Sequence, residues 1–479
     1  MVFNSVAYAI FFPIVAIIYL CLGTGAGNIW LLVSSYFFYM SADIRYGAIL
    51  FGASLVTYIS TNILEKTANN ALLRKITAVM AVSIELLLLF FFKYFGFFNE
   101  MTGNYFEVSF LLPVGISFYV FQAVGYIIDV YRGDIRAEKN FVQAMLFTAF
   151  FPGILSGPIS RAGELIPQFK VKHKFDYANV REGLVRMGWG LFMKLVIASR
   201  LSIVANLVYD NHTEANPVQL ILGTFAYALQ IYCDFASYSE LAIGSAQCMG
   251  FKLRENFFQP FFATSSAELW RRWHMSLMSW FKDYLYIPLG GSRKGRLRKY
   301  VNILIVFTLS GLWHGAAWTY VLWGFLSGLF QVTGEILKKY RERIMELWPL
   351  KGRLAGLVHH GIKVFLTVFF FNVSLVFFRA KSISQAAEIL KAVFTGFRFS
   401  DIAKTNVFEL GLGYINLGIL AFSLLILFAV DLARERGREP QKLLTGLSPA
   451  LRWAAYYGMI LMILLSTNIG AQRFIYFQF

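Results

Sequence analysis

The chain is short of charge. Asp, Glu, Lys and Arg make up 15% of its 479 residues, against about 25% in a soluble domain. No polar stretch is long enough to fold around a core of its own, so no soluble domain is expected. Acidic side chains are the scarcer sign: 27 stand against 44 Lys and Arg, a net charge of +17. Histidine is rarer still, with six in the whole chain. The three cysteines, Cys21, Cys233 and Cys248, lie in apolar or helical contexts without paired spacing. That argues against a disulfide framework or a zinc site and for small buried residues. No metal-ligand spacing, phosphate-binding Walker loop or Ser-His-Asp order is present. The chain has no internal repeat, which weakens a secondary-transporter reading.

What fills the sequence instead is apolar: 57% hydrophobic and 18% aromatic residues. Long apolar runs recur between basic loops, the pattern of an all-α polytopic integral membrane protein. The charge excess then follows from basic cytoplasmic loops facing anionic lipid, and nucleic acid is not an expected partner. The start, Met1-Val-Phe-Asn-Ser, has no positive n-region, and the run behind it has no clear cleavage site. It is expected to stay as a membrane helix.

Loop charges give the topology. Lys66, Arg74 and Lys75 mark a cytoplasmic loop, residues 76–96 cross, and 97–112, with Glu100 and Glu107 and no base, reads as external. Residues 113–131 return to Arg132, Arg136 and Lys139. The apolar stretch 140–160 is flanked on its far side by Arg161, Lys170, Lys172, Lys174 and Arg181, so both ends look cytoplasmic. It contains Pro152-Gly153 and Gly157-Pro158, which break helices. A re-entrant element is expected there, irregular backbone being tolerated at membrane depth only when enclosed by protein or lining a watery cavity. Residues 183–208 cross outward, 209–217 is external and 218–235 returns. From 252 to 299 ten Lys/Arg stand against Glu255, Glu268 and Asp283, the strongest cytoplasmic signal in the chain. Within it, Leu269, Trp273, Leu277, Trp280 and Tyr284 fall at helical spacing, which predicts one amphipathic helix over 266–287 at or dipping into the interface. The segment 338–363 is basic again, and 364–378, 411–430 and 453–470 read as further spans. Parity makes 379–410 external, against its bases Arg379, Lys381, Lys391, Arg398 and Lys404. The tally is roughly eleven or twelve spanning elements in a single domain over 1–479, with a core at about 110–340 and C-terminal helices over 360–479.

Two of the six histidines stand out. His314 sits in Val301–Trp323, 23 residues without a charged side chain and long enough to cross a bilayer. An ionisable group there is expensive and usually marks a pathway or reaction centre. The plainer reading is a packing histidine that donates to a carbonyl, but burying a polar group in hydrocarbon without a role is costly. His274, in Leu269-Trp-Arg-Arg-Trp-His-Met-Ser-Leu277, is either a second functional group or a hydrogen-bonded interfacial side chain. Asp234 and Glu240 close an apolar span and are placed to pair with Arg271 or Arg272, most simply as structural ion pairs. The turn Gly290-Gly-Ser-Arg-Lys294 could touch phosphates, although such loops are common on cytoplasmic faces. Neutral imidazole can take a proton from an alcohol or accept an acyl group. The residues alone therefore reach a membrane-embedded site for proton or group transfer.

Five stretches in order, Gln230-Ile-Tyr-Cys-Asp-Phe-Ala-Ser-Tyr-Ser, Glu255-Asn-Phe-Phe-Gln-Pro260, Trp270-Arg-Arg-Trp-His-Met-Ser-Leu277, Asp283-Tyr-Leu-Tyr-Ile-Pro-Leu-Gly-Gly291 and Gly311-Leu-Trp-His-Gly315, resemble the membrane-bound O-acyltransferase family, in its bacterial alginate O-acetyltransferase branch. The likeness runs from Phe151-Pro-Gly-Ile-Leu-Ser-Gly-Pro158 to Phe474-Ile-Tyr-Phe-Gln-Phe479. It implies tilted helices around a central tunnel, with re-entrant and amphipathic cytoplasmic helices forming a funnel. It implies that His314 matches the catalytic histidine and His274 the second polar position, which is asparagine in many eukaryotic relatives. Trp270, Trp273, Trp313 and Asp234 would shape or brace the tunnel.

The resemblance implies an acyl relay across the cytoplasmic membrane. A thioester, acetyl-CoA by the branch, would donate from the cytoplasm as a substrate, with no resident cofactor or metal. Arg271, Arg272, Arg293 and Lys294 would attract its phosphates. The acceptor hydroxyl would belong to a glycan or to a secreted partner acyltransferase. D-alanyl transfer to teichoic acid is the alternative inside the family. A proton-coupled transporter or flippase, and a scaffold for a polysaccharide synthase, are the alternatives outside it.

Overall fold

The computed structural model describes residues 1–106, 112–346, 352–438 and 440–467. Glu107 and the terminal Phe474–Phe479 stretch lie outside them. All regular structure among the described residues is helical, as the apolar runs require: lipid offers no hydrogen bonds, so each segment must satisfy its own backbone. Among the described residues seven helices are long and apolar enough to cross a membrane: Ile44–Lys66, Ala71–Met101, Tyr177–Asp210, Pro217–Cys248, Leu354–Arg379, Tyr414–Glu435 and Pro449–Ser466. Trp318–Ile336 with Lys338–Ile344, bent by 53°, makes an eighth if it is one span. The other expected elements are shorter, such as the 16-residue Val6–Cys21 and the 17-residue Thr24–Met40 and Ile116–Arg132. Arg296–His314 has bases at Arg296, Arg298 and Lys299 in its first turn.

The chain falls into two compact units, Met1–Gly190 with Tyr238–Glu255, and Leu191–Ser237 with Asn256–Phe479. The first begins with α1 (Val6–Cys21), α2 (Thr24–Met40), α3 (Ile44–Lys66) and α4 (Ala71–Leu89). Ser5, Asp43 and Asn70 cap three of these, each accepting a backbone N–H of the first turn that has no partner within its helix. After α5 (Ile116–Arg132) come α6 (Phe141–Ala149) and α7 (Phe151–Ile154). With nine residues α6 is about 14 Å long, half of a ~30 Å hydrocarbon core. The chain leaves helical geometry at Phe150 (ψ 108°), and a Cβ at Gly157 would stand 2.7 Å from Gly153 Cα. Residues 144–162 are all buried. The stretch is thus broken and enclosed by protein, in keeping with the proline and glycine pairs.

The second unit holds the histidines. α8 (Tyr177–Leu191), which belongs to the first unit as far as Gly190, runs through a π-turn over Phe192–Ala198 into α9 (Ser199–Asp210) of the second, and α10 (Pro217–Cys248) passes from the second unit into the first. Then follow α11 (Ser266–Arg272), α12 (Met275–Phe281), α13 (Arg296–His314), α14 (Trp318–Ile336), α15 (Lys338–Glu346), α16 (Gly352–Arg379), α17 (Ile383–Gly396), α18 (Tyr414–Glu435) and α19 (Pro449–Ser466). The single amphipathic helix expected over 266–287 is two short helices, broken at Trp273-His274, because backbone groups at the break bond to Asn256 and Phe258 instead of continuing a helix.

The 379–410 segment is tied to the 209–217 loop. Lys381 Nζ lies 2.7 Å from Asp210, His212 Nε2 3.0 Å from Glu388, and Gln385 donates to the Tyr209 carbonyl at 2.7 Å. Arg379 donates to Asn206 at 2.7 Å. The two segments share one end of the unit, so Arg379 and Lys381 answer local acceptors and need not signal a cytoplasmic loop.

α13 and α14 form a hairpin whose backbones touch. A Cβ on Gly311 would stand 2.2 Å from the Tyr320 carbonyl oxygen, and one on Gly324 2.3 Å from that of Phe307. Neither obstacle is a side chain that could swing away. Gly324→Ala is therefore expected to destabilise the protein by at least ~1–3 kcal/mol, read as a lower thermal midpoint in detergent. Gly334→Ala, where a Cβ meets open space, is the control that leaves it in place. Equal midpoints for the two variants contradict this crossing.

Candidate active site

His314 is the last residue of α13. Gly315 caps the helix in extended conformation (φ −164°, ψ 149°) and turns the chain into α14. A Cβ on Gly315 would overlap the Tyr320 ring at 2.2 Å, so the Gly-Leu-Trp-His-Gly run is shaped by two close approaches of α14. The imidazole is 4% exposed and enclosed by rings: Trp313 at 4.9 Å, Trp323 at 5.1 Å and Phe378 at 5.3 Å, all nearly edge-on. Phe378 also packs on Trp323 and Tyr320.

His274 sits at the break between α11 and α12 in the left-handed region (φ 43°, ψ 52°). Histidine and asparagine are among the few side chains enriched there. For a residue with a Cβ this costs about 1–3 kcal/mol unless the surroundings impose it. Asn256 imposes it. Its carbonyl accepts from the Met275 N–H at 2.9 Å, while Phe258 N–H donates to the Arg272 carbonyl at 2.9 Å. Asn256 Oδ1 also accepts from the Ser276 N–H (3.2 Å) and hydroxyl (2.9 Å). Because that atom is an acceptor, the His274 Nδ1 at 3.1 Å must be the donor. A neutral ring donating from Nδ1 carries its lone pair on Nε2. Burial pushes the His274 imidazole down to about 3, so it is uncharged across the physiological range. Phe235 stands edge-on to it at 4.5 Å and Trp313 at 5.8 Å. Phe235 lies about 27 Å along α10 from Pro217 at 1.5 Å per residue, so His274 packs against the middle of that 32-residue helix. Trp313 contacts both histidines.

The other candidate residues divide. Trp270 packs on Phe307 (5.2 Å), Trp323 (5.8 Å) and Phe371 (5.8 Å), and Trp273 on Phe371 (5.1 Å) and Phe257 (5.2 Å). With Trp313 they join the aromatic enclosure. Asp234 does not pair with Arg271 or Arg272: Lys194 holds it at 2.5 Å, both side chains being at most 4% exposed. Glu240 belongs to Arg186 at 2.6 Å. Arg272 is bound to Glu268 at 2.6 Å and Glu435 at 2.5 Å, which fixes α11 to α18. Arg271 is exposed and lines a cavity. Arg293 and Lys294 are exposed on the glycine turn, where Gly290 and Gly291 have φ of 103° and 53° and Asn302 donates to the Gly291 carbonyl at 3.0 Å. That turn precedes the far end of α13 from His314, about 28 Å along 19 residues. The bases are thus not gathered at the histidines. Asn256, Phe235, Trp323 and Phe378 were not among the residues to which the sequence pointed; Asn256 and Phe235, both in stretches already singled out, offered a signal.

Two stability measurements test this arrangement. His274→Gly removes the left-handed cost of a Cβ, about 1–2 kcal/mol, and His274→Ala keeps it. The glycine variant is expected to melt higher than the alanine variant by roughly 1 kcal/mol; the reverse order contradicts the left-handed backbone. Lys194→Met leaves the buried Asp234 carboxylate alone and should cost about 3–5 kcal/mol. Lys194→Met with Asp234→Leu should recover most of that, and no recovery would contradict the pairing.

Residues 134–345 match the model of the membrane-bound O-acyltransferase (MBOAT) family. The chain is 36% identical over 414 residues, 82% of it and 80% of the relative, to the probable alginate O-acetylase AlgI of Pseudomonas putida. It is 32% identical over 398 residues, 76% of it and 73% of the relative, to the peptidoglycan O-acetyltransferase of Helicobacter pylori. To the teichoic acid D-alanyltransferase of Bacillus subtilis it is 27% identical over 274 residues, 55% of it and 69% of the relative. With its helical membrane architecture and these relatives across most of its length, the chain belongs to the membrane-bound O-acyltransferase family.

Proposed function

We propose that the protein transfers an acetyl group from a cytoplasmic thioester to a hydroxyl presented on the other side of the cytoplasmic membrane, and that His314 is the reacting base. The observation that carries this reading is the enclosure of His314 at the end of α13 by Trp313, Trp323 and Phe378, with His274 against the same Trp313. The site excludes water, which strengthens every electrostatic interaction inside it. The end of a helix carries partial negative charge, which offsets the positive charge that grows on an imidazole as it takes a proton.

In the reaction the acceptor oxygen attacks the thioester carbonyl carbon while His314 removes its proton. The C–S bond breaks, and the proton returns to the leaving thiolate. In a two-step variant His314 attacks first and holds the acyl group on its ring until the acceptor takes it. His274, neutral and fixed by Asn256, orients a reacting group through Nε2. The bases Arg271, Arg293 and Lys294 attract the donor's phosphates at the cytoplasmic end, and Arg272 serves structure through its two carboxylates. The relatives named for acetyl transfer match the chain more fully than the one named for D-alanyl transfer, which favours acetyl. The names of these relatives point to a glycan acceptor, alginate or peptidoglycan, reached directly or through a secreted acyltransferase.

A histidine base contributes about 10²–10⁴-fold to rate. Purified protein given radiolabelled acetyl-CoA and a candidate acceptor should transfer label. His314→Ala should pass less than a tenth as much while inserting and melting like the wild type. Retention of more than that removes His314 from the chemistry. Label on the wild-type protein that hydroxylamine releases, in the absence of acceptor, would mark the two-step variant.

A further inference from the structure

A cavity of about 940 Å³ opens among α11, α14, α15 and α16 within the second unit. Trp270 lines it, and beyond Trp270 lies Trp323, whose ring touches His314. The cavity follows α14 and its C-cap from Ser327 to Leu337 and α16 from Ile362 to Ser374. At 1.5 Å per residue these are about 15 and 18 Å, the depth of one leaflet of a ~30 Å hydrocarbon core.

Its two ends differ in chemistry. Leu329, Phe330, Leu366 and Phe370 make apolar walls. Where α15 bends away from α14 by 53°, Lys338, Arg341 and Lys363 stand at the rim. The nearby carboxylates do not cancel them. Glu335 is held by Lys299, and Glu342 reaches Lys338 only at 3.9 Å in an exposed pair of little energetic weight. Arg341 Nε, Gln331 Oε1 and the 98% buried Ser327 Oγ are shut off from solvent with no hydrogen-bond partner among the described residues. A site of this kind fits an amphiphile with long apolar chains and an anionic head. Basic pockets between helices on the cytoplasmic side suit the phosphates of anionic lipids, which that leaflet carries.

We propose that this cavity holds one anionic phospholipid of the cytoplasmic leaflet, its chains along Leu329, Phe330, Leu366 and Phe370 and its phosphate at Lys338, Arg341 and Lys363. The bound lipid completes the wall behind Trp270 and so braces the aromatic enclosure of His314. The lipid takes no part in acyl transfer, and the assignment does not depend on that reading.

The test is the lipid that stays with the full-length protein through purification in mild detergent, measured by mass spectrometry of an organic extract. The wild type should retain about one phosphatidylglycerol per chain in preference to phosphatidylethanolamine. Lys338→Ala/Arg341→Ala/Lys363→Ala should lose it more than tenfold. Leu366→Trp, which crowds the apolar wall where the chains would lie and keeps every charge, should lose it too, so that a folding failure in the triple variant leaves the test intact. Millimolar coenzyme A should not displace the lipid. Wild-type retention in both variants, equal retention of phosphatidylethanolamine, or displacement by coenzyme A each overturns the assignment; the last would give the cavity to the donor.

Discussion

Where α13 crosses α14, the backbones of Gly311 and Gly324 meet with no room for a β-carbon. The arrangement of the site follows from that contact. It lets the return helix begin four residues after His314, at Trp318, and it brings Trp323 edge-on to the imidazole. Looser packing would move Trp323 off His314 and open the ring to lipid or water. The hairpin is thus a device for keeping a polar side chain buried, its backbone satisfied by its own helix and its ring enclosed by aromatic surface.

The second histidine is held by a different device. A helix over 266–287 would point His274 wherever its period dictated. The break at Trp273-His274 frees it from that period and lets Asn256 set its position through the Met275 and Ser276 amides and Nδ1. One residue, through its carbonyl and its side chain, thereby fixes both a left-handed backbone and a tautomer. Arg272, bonded to Glu268 and Glu435, anchors the preceding turn to α18, so the break is pinned at both ends. The two histidines differ in kind: one ends a long helix against rings, the other sits on a strained turn with a defined donor and acceptor.

Much of this was legible in the sequence where one residue type carries a large cost. His314 in an uncharged run is buried, as the cost of exposing it there suggests, and Pro152-Gly153 with Gly157-Pro158 break the stretch they occupy, whereas the run Val301–Trp323, long enough for one crossing, is split at Gly315 between α13 and α14. Periodicity failed at 266–287 because Leu269, Trp273, Leu277 and Trp280 keep helical spacing across a point where the backbone bonds elsewhere. Spacing also misassigned Asp234. Its partner, Lys194, comes from a π-turn forty residues upstream, and packing makes that choice, which charge alone does not reveal. Trp323 and Phe378 look like any apolar residues of a membrane helix. Their role exists only once α14 and α16 are laid against His314. The bases of 379–410 misled for a related reason: Arg379 and Lys381 answer acceptors in the last turns of α9, and a charge count does not see partners.

The central claim is that His314 is where the acyl group arrives from the cytoplasmic end of α13. Its most direct test is a structure of the protein with a thioether analogue of acetyl-CoA that cannot be cleaved. The account predicts the analogue's carbonyl within hydrogen-bond reach of the His314 ring, with the nucleotide phosphates toward Arg293 and Lys294. A carbonyl seated away from His314, with the analogue bound in full, would contradict it.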